Sequence, residues 1–181
     1  MWLEPGTTAT ILLDAGVLVL LHACSVASAL RRPWQRYDKD AGLTRLLPFE
    51  KDGRWYERKL GIHKWKDRLP DGGSWIRSGF AKKRLLSADR DYLRRFAAET
   101  RRGELTHWLM FLPLPLFAVW NNGLGMAIMA AYTIAANLPC ILVQRYNRAR
   151  LLKVMSRRER LCYPNRTDQY SAKELPGDHG I

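Results

Sequence analysis

The chain has 181 residues, 30 Lys and Arg against 17 Asp and Glu, a formal net charge of +13 and a mean hydropathy of −0.30. That length suits one domain of ordinary size, but the average hides a segregation: no Lys or Arg precedes Arg31, and no charged residue lies between Leu105 and Val143. A pI near 10.1 first raises nucleic acid, yet cations flanking apolar segments follow the pattern of charge kept in the cytoplasm and drawn to anionic headgroups, so nucleic acid is not an expected partner.

The first apolar segment covers residues 8–30 and is long enough to span a hydrocarbon core of about 30 Å. Ala27-Ser28-Ala29 resembles a signal-peptide cleavage site, but the residues before the segment carry no positive charge. Arg31, Arg32 and Arg36 come directly after it. The expectation is a retained transmembrane helix with its N-terminus outside and its C-terminal end in the cytoplasm. Asp14 and His22 lie inside it at i, i+8 and face the same way, and ionisable groups in a bilayer are functional candidates. Asp14 is near enough to the outer end to reach water.

Residues 31–86 are polar, Trp-rich and turn-rich. Pro48, Asp52-Gly53 and Leu69-Pro70-Asp71-Gly72-Gly73 are turn signals. Trp34, Trp55, Trp65 and Trp75 read as interfacial anchors, and residues 55–62 as an amphipathic piece lying on the membrane. His63 and Asp67 have a His-x-x-x-Asp spacing that some acyltransferases use, though an interfacial Trp with basic neighbours explains the run as well.

A helix is expected from Ser87, with Asp89 and Asp91 in its first turn. It points into a second apolar segment at 105–120, interrupted by Pro113 and Pro115. Asn121-Asn122-Gly123 signals a tight turn. A third apolar segment at 124–143 would be about 30 Å long as a helix, and the second about 24 Å, a short span or one arm of a re-entrant hairpin. The fold expected is an all-α membrane protein with about three transmembrane or re-entrant helices and a basic, partly helical cytoplasmic region. Its parts are a transmembrane helix (1–30), an interfacial region ending in a helix (31–104), an apolar hairpin (105–143), and a basic helix with a loose tail (144–181). Cys24, Cys140 and Cys162 show no pairing or metal spacing, which fits a reduced compartment.

Two polar runs flank the hairpin. Glu104 and His107 share a helix face at i, i+3, and a carboxylate beside a histidine suits a general base. Glu99 and Arg101 lie one turn earlier. Interfacial capping is the alternative for this run. Glu-x-x-His also occurs among helix-borne metal ligands, but no second copy exists here, so no metal is expected. The second run is Gln144-Arg145-Tyr146-Asn147-Arg148-Ala149-Arg150, with Asn137 and Pro139 just before it. Arg145 and Arg148 share a face and offer two guanidinium forks, suited to phosphate or carboxylate. A positive-inside stop signal touching headgroups is the alternative. Because the chain enters the hairpin at His107 and leaves it at Gln144, both runs should meet at one membrane boundary.

Together these residues resemble the glycosyl-4,4'-diaponeurosporenoate acyltransferase family. The resemblance runs over residues 49–152 and rests on Glu99-Thr100-Arg101-Arg102-Gly103-Glu104-Leu105-Thr106-His107-Trp108, then Asn137-Leu138-Pro139, then Gln144 to Leu151, with Trp65-Lys66 and Asp71-Gly72 also fitting. Family members complete staphyloxanthin synthesis by adding a fatty acyl group to a carotenoid glycoside. The resemblance implies acyl transfer to a sugar hydroxyl on a lipid-linked acceptor and leaves the acceptor open.

On this reading His107 deprotonates the acceptor hydroxyl, with Glu104 or Glu99 orienting it. Arg145, Asn147 or Gln144 stabilises the oxyanion. Arg148, Arg150 and the basic run 82–84 hold the phosphates of acyl-CoA or an acyl carrier, the co-substrate; no bound cofactor is expected. Arg101 and Asn137 complete the substrate-binding set. The expected partners are a lipid substrate, an acyl donor and the cell membrane, with a membrane protein partner or a homo-oligomer left open. A non-catalytic lipid-binding or assembly subunit of a membrane enzyme complex is the alternative function. A lipid methyltransferase or reductase is a third option, disfavoured by the lack of a Gly-rich nucleotide fingerprint.

Overall fold

The computed structural model describes residues 6–69, Phe80 and 85–162, and the regular structure among these is helical throughout. The turn at 70–73, Trp75, the basic run 82–84 and the tail after residue 162 lie outside the described residues.

The first helix, α1, is Thr7–Leu30, an uninterrupted run of 24 residues, about 36 Å long at 1.5 Å per residue and thus able to cross a hydrocarbon core. Ala29 is its one buried residue, and Leu12, Val19 and Leu20 are all exposed. So much apolar surface left uncovered is unfavourable in water and natural in lipid.

A short helix, α2, covers Arg54–Leu60. Around it run 3-10 turns at Trp34–Tyr37, Gly42–Thr44, Pro48–Glu50, Ile62–Lys64 and Lys66–Arg68. Tyr56 and Ile62 are fully buried here, packed with Tyr146. Gly53 starts α2 with φ +76, and a Cβ there would meet Arg150 Cδ at 3.0 Å, so glycine meets both constraints.

The third helix, α3, is Arg90–Leu109. It starts three residues after the expected Ser87, because Asp89 is the cap: its carboxylate accepts from the backbone N–H groups of Asp91 and Tyr92. The fourth, α4, is Gly123–Cys162, 40 residues carrying Pro139 inside, and about 60 Å long, twice a hydrocarbon core. Its first part is apolar, with Leu124, Ile128 and Ile134 exposed. Its second part packs along α3, where Leu93, Phe96 and Ala97 meet Leu151.

Of the expected three transmembrane or re-entrant helices, the middle segment does not form a continuous α-helix. Residues 105–109 belong to α3, and the chain then passes through a turn into a 3-10 helix at Leu114–Val119. Pro113 and Pro115 have no N–H to give to α-helical bonds, and the chain here closes i→i+3 bonds instead, from Leu114 N–H to the Phe111 carbonyl and from Leu116 N–H to that of Pro113. Among the described residues two helices are long and apolar enough to cross a membrane, α1 and α4. The 3-10 arm lies against them: Phe117 and Trp120 pack with Met129, Val17 and Leu18. Trp120 Nε1 and Asn121 Nδ2 both donate to Asp14 Oδ1, at 2.7 and 2.8 Å, tying the hairpin tip to α1.

Candidate active site

The antiparallel pairing of α3 with α4 brings the two polar runs together, as their order along the chain predicts. They separate into two layers. One is a buried ion network, and the other is a half-buried histidine at the junction with the apolar helices.

Glu104 is the centre of the network. Its side chain is fully buried, with Oε1 accepting from Arg145 Nη1 at 2.6 Å and Oε2 from Arg148 Nη2 at 2.7 Å. The Trp108 indole adds a third hydrogen bond to Oε1, at 3.2 Å. Arg145 also reaches Glu50 through Nε at 2.9 Å and Nη2 at 2.6 Å, and the carbonyls of Leu43 and Arg45. That makes five acceptors for the five N–H donors of a guanidinium. Burial alone would raise the Glu50 carboxyl, but hydrogen bonds from Arg145, Tyr56 and the Leu47 N–H outweigh it and hold it below the usual range. The Tyr56 hydroxyl is pushed up by burial and by the adjacent Glu50.

The expected site residues lie among these contacts. Glu104 bonds Arg145 and Arg148, and Glu99 Oε2 accepts from Arg102 at 2.5 Å. Arg101 is buried and donates to Asp40 and to the carbonyls of Tyr37 and Asp38. Arg148 is fully buried, also bonding the Thr44 carbonyl, while its Nε and Nη1 have no partner among the described residues. These buried forks are engaged with carboxylates and carbonyls, and those of Arg145 and Arg148 tie α4 to α3 and to the turns around residues 43–50. Arg150 pairs with Glu57, and Asp67 accepts from Lys66. Gln144 and Asn147 are half-buried on α4, the Gln144 Oε1 without a partner among the described residues. Glu50, never singled out in the sequence, is as central as Glu104, and nothing local pairs it with a residue 95 positions away.

His107 sits one turn beyond Glu104. Its Nδ1 lies 3.0 Å from Asn137 Oδ1, across 30 residues of sequence. The Asn137 amide is itself oriented, because its Nδ2 donates to the Thr133 carbonyl at 2.9 Å. The amide oxygen can only accept, so the hydrogen of this contact lies on His107 Nδ1, and in a neutral ring Nε2 would then hold the lone pair. Asn137, expected as a substrate ligand, is the residue that bonds the imidazole here. On the other side, the His22 ring of α1 is centred 6.3 Å from that of His107. Among the described residues no group of three His, Cys, Asp or Glu side chains is placed to hold a metal ion. The arrangement offers a base nitrogen at the border between a charged head and two apolar helices.

A model of the CrtO glycosyl-4,4'-diaponeurosporenoate acyltransferase family matches residues 34–157. The glycosyl-4,4'-diaponeurosporenoate acyltransferase of Staphylococcus aureus strain bovine RF122 / ET3-1 is 36% identical over 115 residues, covering 61% of this chain and 68% of the relative. The protein of the same name from strain USA300 is similar to the same degree and extent. No solved structure matches the chain.

Proposed function

The chain belongs to the glycosyl-4,4'-diaponeurosporenoate acyltransferase family, and from that premise we propose that it is a membrane O-acyltransferase. It moves a fatty acyl group from an acyl thioester to a hydroxyl of a lipid-linked sugar. The observation that carries this reading is the His107–Asn137 pair, set at 3.0 Å where charged and apolar surfaces meet.

His107 Nε2 takes the proton of the acceptor hydroxyl, and Asn137 keeps the ring in the tautomer that allows it. The hydroxyl oxygen attacks the thioester carbonyl, and the thiolate leaves with that proton. The apolar surfaces of α1 and α4 receive the acyl chain and the lipid part of the acceptor. Exposed cations on the outer half of α4, Lys153 and Arg157 among them, suit the phosphates of acyl-CoA or an acyl carrier. In the cell membrane the basic head faces the cytoplasm, in keeping with the charge bias, and the N-terminus lies outside.

The test is the full chain in phospholipid vesicles, given a labelled long-chain acyl-CoA and a carotenoid glycoside. Acylated glycoside in the product supports the reading. Absence of transfer to this and to other glycolipid acceptors contradicts it.

A further inference from the structure

We propose that His22 is a second catalytic histidine, whose ring N–H receives the oxyanion formed during acyl transfer. The inference rests on the acyltransferase reading and supplies the oxyanion donor that reading lacks. Arg145 was the natural candidate, but its guanidinium already has five acceptors.

The imidazoles of His22 and His107 are centred 6.3 Å apart and inclined at 49°. Hydrogen bonds from ring nitrogens reach about 2.7–3.2 Å. Two rings at this separation can therefore flank one small reacting group, each bonding one of its oxygens. A tetrahedral carbon carrying the former hydroxyl oxygen and the former carbonyl oxygen is such a group. Asn137 of α4 occupies Nδ1 of His107, and the His22 ring of α1 lies beside the same imidazole from another helix. Thr133, one helical turn from Asn137, is 1% exposed, and its Oγ1 has no partner among the described residues. His22 itself is exposed on an apolar helix, so a lipid-borne substrate can reach its ring. An ionisable ring at that depth is costly without a function.

The step balances without a further reagent. His107 Nε2 accepts the hydroxyl proton as the carbon–oxygen bond forms. The carbonyl π pair moves onto its oxygen, which accepts the His22 N–H. When the carbonyl re-forms the carbon–sulfur bond breaks, and the thiolate takes the proton from His107. A neutral imidazole always keeps one N–H, so His22 need not be charged. The matched family segment begins at residue 34, so α1 and His22 lie outside it.

The test compares the unaltered full chain with His22→Phe, His22→Gln and His107→Ala, in vesicles with a long-chain acyl-CoA and glycosyl-4,4'-diaponeurosporenoate. His22→Phe keeps an apolar ring and removes the donor. Its kcat should fall about 10²-fold, the loss typical of one oxyanion donor, with KM little changed, since the contact forms in the transition state. His22→Gln restores an N–H and should recover part of the loss. Near-normal kcat in His22→Phe, a loss confined to KM, or no recovery with Gln overturns the proposal. If His107→Ala is inactive while His22→Phe is active, this inference alone fails. If His107→Ala is active, or the unaltered chain transfers nothing, the acyl-transfer reading fails and takes this one with it.

Discussion

Glu104 Oε2 and Arg148 Nη2 meet at 2.7 Å with both side chains wholly withdrawn from solvent. A buried pair of this kind adds little net stability over an apolar one, but breaking it leaves an uncompensated charge at a cost of about 3–5 kcal/mol. Glu104→Ala leaves Arg148 without a carboxylate and takes one of its two carboxylates from Arg145. Detergent-purified Glu104→Ala should therefore unfold at a clearly lower temperature than the unaltered chain. An unchanged unfolding temperature would remove the network from the fold's foundations.

Arg145→Lys keeps the charge and loses the fork. A lysine ammonium has three donors at one point and cannot span Glu50, Glu104 and two carbonyls. With hydrogen bonds to charged groups worth about 1.5–3 kcal/mol each, the conservative change should cost at least about 2 kcal/mol in denaturant unfolding. Wild-type stability in Arg145→Lys would show that charge alone suffices.

The same network makes the fold acid-sensitive. The folded-state pKa of Glu50 lies below its unfolded value. Its contribution is therefore full above the unfolded carboxyl pKa of about 4.3 and is lost as pH falls through the lower, folded value. Asp38, lowered chiefly by its hydrogen bond from Arg94, adds in the same direction. Unfolding temperature should be flat from about pH 7 to 5 and drop below about 4.3. Glu50→Gln should be less stable at neutral pH and lose less on acidification. An identical acid slope in the variant would contradict the assignment.

At the other end of the molecule, Asp14 accepts from Trp120 and Asn121. Leucine there would leave two donors unpaired, at about 1–3 kcal/mol. Asn retains an acceptor oxygen and should behave nearly as the original. Limited proteolysis at the hairpin tip, near Asn121-Asn122, should speed up in Asp14→Leu and not in Asp14→Asn. Equal cleavage of both variants would show that the carboxylate does not hold the tip.

Much of this was legible in the residue order. Charge segregation and the run 8–30 announced α1, Ser87 with its acidic neighbours announced α3 three residues early, and a hairpin between His107 and Gln144 implied that the two polar runs meet. The partners within that meeting were not legible. Glu104 and His107 share a helix face, which made them look like a catalytic pair. Glu104 also serves Arg145 and Arg148, charged forks that cannot remain buried without a carboxylate. An amide such as Asn137 suffices for a neutral imidazole. Glu50 escaped notice because its pairing is long-range and its neighbours read as a turn. The middle apolar segment, expected as a short span or a re-entrant arm with two prolines interrupting it, is the last turn of α3 followed by a 3-10 arm.

The central claim is that His107, held by Asn137, is the base for acyl transfer. The direct measurement is the turnover rate of His107→Ala in vesicles, with acyl-CoA and carotenoid glycoside saturating and the variant's unfolding temperature checked against the unaltered chain. The expected result is a folded protein whose kcat has fallen by about 10²–10⁴-fold, with Asn137→Ala showing a smaller loss in the same parameter. A folded His107→Ala that turns over at the normal rate would contradict the account.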